Sequence, residues 1–83
     1  MPPRLEHAAL AVLACLRDVP GRISLERLTA LTGHDIDTIR TALASLHAAG
    51  AVTVYRQLAG AQPMPIDPYA LSSHATFYAD PTR

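Results

Sequence analysis

Apolar residues recur at helical spacing three times in the first fifty positions, and then give way to strict alternation. In LEHAALAVLACLRD, residues 5–18, the side chains of Leu5, Ala9, Val12, Leu13 and Leu16 fall on one face, which predicts a first helix. Pro3 stands close before it and Pro20-Gly21 ends it. Leu10 breaks the pattern, because it falls among Glu6, Ala14 and Arg17 on the side that should face water. A second helix is expected over 24–32. Ser24 has the hydroxyl of an N-cap, Ile23 and Leu28 have hydrophobic-staple spacing, and Leu25, Leu28 and Leu31 are expected to face inward. Gly33 suits the left-handed backbone that closes a helix. A third helix is expected over 35–49, capped by Asp35, whose carboxylate also meets the positive end of the dipole. Ile39, Ala42, Leu43 and Leu46 form its inner face, Ile36 lies at the margin, and Gly50 ends it.

The period then changes from helical to two. AVTVYRQ, residues 51–57, predicts a strand with Val52 and Val54 on one side and Thr53 and Tyr55 on the other. Residues 58–68 show no periodicity and carry Pro63, Pro65 and Pro68, so they read as a long, proline-stiffened loop. Residues 69–72, YALS, are expected to return as a strand with Leu71 turned to the core, and SHATFYAD to form a last helical turn before Pro81. No internal repeat or second domain is visible, so residues 1–83 are expected to form one domain of α+β class, mostly α.

Charge changes the picture more than composition does. Half the chain is apolar and 17% is charged, which is globular rather than disordered composition. Seven arginines face seven acids, lysine is absent and the net charge is zero. Neutrality removes the simplest support for a polyanionic partner, though a local basic patch can still suffice. The apolar run from Ala8 to Leu16, with Arg4 before it, faintly resembles a signal peptide but is short and alanine-rich. A cytoplasmic protein without a membrane span is expected.

Helix, helix, turn, helix, strand, loop, strand is an order that resembles the winged helix-turn-helix superfamily. LTALTGHDIDTIRTALASLHAAGAVTVYR carries most of the likeness: Leu28, Leu31, Gly33, Ile39, Leu43, Leu46, Gly50 and Val52 occupy the positions of the bacterial-regulator pattern. YALSSHATFYA is similar to the run that closes the wing in MarR-like regulators, with Ala75 where glycine is usual. The resemblance covers Leu5 to about Tyr78. It implies three helices plus a two- to three-stranded wing with a long proline-rich loop. The cysteine motifs of ArsR-type repressors and of small iron-transport winged-helix proteins are missing.

What the resemblance implies is a small regulator of transcription that binds double-stranded DNA, with helix 35–49 in the major groove. Arg40, with Thr41 beside it, would then reach base edges, Ile36 a thymine methyl group and Asp37 a cytosine amine, while Thr41 or Thr38 would bond a phosphate. Arg22, Arg27 and Arg56 would hold the backbone. Against this, Arg40 has Asp37 and Asp35 within reach as ion-pair partners, and the loop offers neither arginine nor lysine. The competing expectation is a winged-helix adaptor that docks on a protein partner through its third helix and the loop. Leu10 and Ala14, joined by Phe77 and Tyr78, are candidates for a homodimer interface. No enzyme, metal or cofactor chemistry is expected. His7, His34, His47 and His74 are dispersed, no glycine-rich phosphate loop occurs, and Cys15 sits at the border of an apolar face as a small hydrophobe.

Overall fold

Three helices cover one face of a four-stranded antiparallel sheet, leaving the other face largely to solvent. The computed structural model describes residues 2–82. The elements run α1 (Pro3–Asp18), β1 (Arg22–Ser24), α2 (Leu25–Thr32), α3 (Ile36–Ala48), β2 (Val52–Arg56), β3 (Met64–Pro65), a 3-10 turn (Pro68–Ala70) and β4 (Thr76–Pro81). In space the strands are ordered β1-β4-β2-β3.

The helix boundaries follow the caps. α1 begins at Pro3 rather than at residue 5, because proline has the φ of a first turn and lacks an amide hydrogen that would there go unbonded. Ser24 caps α2 by accepting from the Arg27 amide at 3.1 Å, and Gly33 closes it at φ 77°. Asp35 caps α3, accepting from the Thr38 amide at 3.3 Å and from the Thr38 hydroxyl at 2.6 Å. The Thr38 hydroxyl is the main influence holding the Asp35 carboxyl below the usual aspartate range. A carboxyl with a lowered pKa in the folded chain adds stability that is complete above the ordinary carboxylate range and is lost as pH falls through the lowered value. Asp35→Ala is therefore expected to lower the melting temperature at neutral pH. The gap to wild type should narrow as pH is taken down through the carboxylate range, and thermal melts followed by circular dichroism read both. A gap independent of pH would contradict the ionised cap.

The core joins the helices to the inner face of the sheet. Val12, Leu25, Leu28, Ile39, Leu43, Val54 and Phe77 are fully enclosed, with Ala8, Leu16, Ile23, Leu46, Val52, Leu71 and Ala79 around them. Burying each of the larger side chains favours the fold by about 1.5–3 kcal/mol. Leu31, expected to face inward, is 42% exposed, because α2 ends one residue later and its short inner face is filled by Leu25 and Leu28.

The C-terminal third departs furthest from expectation. Residues 69–72 are not a strand: Asp67 accepts from the Tyr69 amide at 2.9 Å and the chain tightens into the 3-10 turn after Pro68. Nor do residues 73–80 form a helical turn. Thr76–Pro81 is instead a strand lying between β1 and β2, where it supplies backbone partners to both. β1 was not expected, and β3 interrupts the loop assigned to 58–68, so the sheet has four strands rather than two or three. Phe77 and Ala79 point to the core, while Thr76, Tyr78 and Asp80 point away.

Register then sets out the open face. Arg22 pairs with Tyr78, Tyr78 with Tyr55 and Tyr55 with Pro65, giving one cross-strand row from edge to edge. The Tyr55 and Tyr78 rings stack at 5.1 Å between centroids and 8° between planes. The Tyr55 hydroxyl donates to Asp80 at 2.7 Å, and this bond raises the Tyr55 pKa above the usual phenol value. The two edges are blunt: β1 has three residues, and β3 has two, of which one is proline.

Candidate functional site

The residues expected to read DNA do not present a common basic face along α3. Arg40, the one arginine of that helix, turns toward the chain that follows β3. Its Nη2 donates to the Leu71 carbonyl at 3.1 Å, its Nη1 lies 3.6 Å from Asp37, and its side chain is 24% exposed. Its Nε is buried without an acceptor among the described residues. Arg40 thereby ties α3 to residues 68–71, and Asp37 is occupied by the same guanidinium. Thr38 bonds to Asp35, and Ile36 packs against the core. Thr41 is half-buried at a shallow depression shared with Pro2, Arg4 and Leu5, where the start of α1 approaches. Arg4 itself pairs with Asp35 at 3.2 Å. Two carboxylates at the start of α3, Asp35 and Asp37, are therefore paired with Arg4 of α1 and Arg40 of α3.

Two other arginines do come together. Arg22 opens β1 and Arg56 ends β2, and both line one cavity of about 210 Å³ with Gln57, Leu58, Thr76 and Tyr78. Neither forms an ion pair among the described residues, and no carboxylate lines the cavity. Arg27 is exposed on α2 and is likewise without an ion pair there, but it lines neither this cavity nor its neighbours.

Beyond Arg56 the surface turns apolar. A cup of about 270 Å³ is walled by Leu58, Ala61, Met64, Pro65 and Ile66, with Arg56 as its one charged wall. Leu58 and Met64 are 73% and 66% exposed. The cup exists because β3 folds the loop back along β2, with the Ile66 amide donating to the Val54 carbonyl at 3.2 Å. Across family models, curated proteins and solved structures, no match to the chain is found.

The four residues expected at a homodimer interface do not form one patch. Leu10 (62% exposed) and Ala14 lie on the outer side of α1. Phe77 is 1% exposed and belongs to the core, so its place in an interface is withdrawn, and Tyr78 stacks on Tyr55 on the open face of the sheet.

Two histidines read as dispersed are in fact neighbours. His7 Nδ1 and His34 Nε2 stand 3.2 Å apart, joining α1 to the turn before α3. This contact was invisible in a sequence where 27 positions separate the two. Among the described residues no group of three or more His, Cys, Asp or Glu side chains is arranged to hold a metal ion. Cys15 is half-buried against the core. No helix of the described residues is long and apolar enough to cross a membrane.

Proposed function

We propose that the chain is a winged-helix-type interaction module that docks on another polypeptide through loop 57–66, the counterpart of a wing. What supports the scaffold is its order of elements: helix, strand, two helices, then strands enclosing a long insertion. What carries the docking reading is the cup of Leu58, Met64 and their neighbours, an exposed apolar surface held in shape by β3. Protein interfaces place such apolar anchors at the centre and polar groups at the rim, and here Arg56 and Gln57 flank the cup.

The test compares two variants in capture of partner protein from nuclease-treated lysate. Leu58→Ser with Met64→Ser is expected to abolish recovery, because a docking surface without its anchors loses most of its affinity. Folding should be little affected, since both side chains are mostly outside the core. Arg40→Ala is expected to leave recovery intact. Recovery indifferent to the loop pair and lost with Arg40 would reverse the assignment.

A second reading, a DNA-binding regulator, is favoured by the convergence of Arg22 and Arg56 in one cavity. Two cations at the base of a wing suit a phosphate backbone. Retention on random duplex that falls steeply with salt would support it. Under the docking reading retention is weak and shallow in salt, because α3 contributes no free cation.

A further inference from the structure

Resting on the docking reading above, we propose that the segment seated on loop 57–66 is acidic and apolar together: an apolar side chain fills the cup while carboxylates beside it meet Arg56 and Arg22.

Arg56 lines both the apolar cup and the cavity that contains Arg22, and Leu58 lines both as well, so the two depressions form one continuous surface. A third depression, with Ala59 and Gly60 in its wall, extends from the same Arg22, Gln57, Leu58 and Tyr78. Among the described residues no carboxylate lines any of the three. The acids that could have neutralised this end of the sheet are engaged elsewhere: Asp80 accepts from Tyr55, Asp67 caps the 3-10 turn, and Glu26 pairs with His74. Although the chain as a whole is neutral, the exposed Arg22 and Arg56 have no ion-pair partner among the described residues.

Each half of the surface narrows the partner. An apolar cavity of about 150 Å³ already admits benzene, so the cup at about 270 Å³ has room for an aromatic or branched side chain. A planar guanidinium takes a carboxylate through two parallel N–H···O bonds, and two such groups select a segment with acids on one side of the anchor. A phosphate backbone satisfies the cations but has nothing for the apolar walls of Met64, Pro65 and Ile66. Duplex affinity is drawn largely from several cations that each neutralise a phosphate, and two arginines supply little of it. Charge and shape together favour a peptide.

Panning a phage-displayed library of random twelve-residue peptides on the immobilised full chain tests this. The expected survivors place Asp or Glu within three positions of Phe, Leu, Ile or Met. The best of them, made synthetically with a fluorescent label, is then titrated against four proteins: wild type, Arg22→Gln/Arg56→Gln, Leu58→Ser/Met64→Ser, and all four changes together. The arginine pair is expected to weaken binding at least tenfold. Replacing the peptide's acids by their amides should cost wild type the same factor and the arginine variant little. Circular dichroism confirms that each variant is folded.

Survivors without acidic bias, or an arginine variant that binds as wild type does, would overturn the partner chemistry. If Leu58→Ser/Met64→Ser still removes binding in that case, the loop remains the docking site. A library that yields no binder, or one whose binders ignore the loop pair, would overturn both. Displacement of the peptide by random duplex at moderate salt, with the duplex binding more tightly, would assign the surface to nucleic acid instead.

Discussion

Phe77→Ala is expected to destabilise the fold severely rather than dissociate a complex. Phe77 is 1% exposed and lies on the central strand β4, paired with Ile23 on one side and followed by Ala79 opposite Val54. Truncating a buried phenylalanine costs about 3–5 kcal/mol, the lost transfer energy plus the cavity left behind. A small domain has total stability of about 5–15 kcal/mol, so the change removes a large part of it. Urea unfolding should show a midpoint far below wild type, with little dependence on protein concentration. Had Phe77 been an interface residue, the variant would melt like wild type when dilute and differ only in its state of association. A melting curve that matches wild type at low concentration would therefore contradict its place in the core.

Arg40→Ala has the second largest expected effect, and it bears on function as well as stability. The substitution leaves the Leu71 carbonyl without its donor and frees Asp37, in a segment where Leu71 is 3% exposed. A hydrogen bond from a charged donor to a buried carbonyl contributes about 1.5–3 kcal/mol. The melting temperature should fall, and amide exchange at Tyr69, Ala70 and Leu71 should quicken, because the 3-10 turn loses its tie to α3. Arg40→Lys should restore little of the loss, since an ammonium cannot span Asp37 and the Leu71 carbonyl as a guanidinium fork does. A base-reading arginine behaves otherwise: its removal leaves stability nearly unchanged and relaxes sequence preference on DNA. Unaltered exchange at residues 69–71 together with weakened duplex binding would return Arg40 to that role.

The helices were legible because their signals are local. Ser24, Asp35, Gly33 and the spacing of Val12, Leu28, Ile39 and Leu43 act within one or two turns, and the structure keeps all of them. β2 was legible for the same reason. β1 and β4 were not, since three residues after Gly21 and six after Ala75 become strands only because each finds the other and β2 across the fold. The alternation of Thr76 to Asp80 was present in the sequence, but it is short and adjoins polar residues that also suit a helical turn.

For the functional surface, Arg22 and Arg56 were expected, together with Arg27, to hold a phosphate backbone. Their convergence depends on β4 lying between β1 and β2, which spacing along the chain does not reveal. The ion pair of Arg40 with Asp37 was foreseeable from its three-residue interval. Its bond to Leu71, 31 positions away, was not.

The most direct measurement is a map of amide chemical shifts in the isotopically labelled chain as the library-derived peptide is added. The expected result is a cluster of moving signals at Arg22, Arg56, Gln57, Leu58, Ile66 and Tyr78, with Asp37, Thr41, Ala44 and Ala48 unmoved. Shifts concentrated along Ile36–Ala48, with loop 57–66 silent, would contradict it.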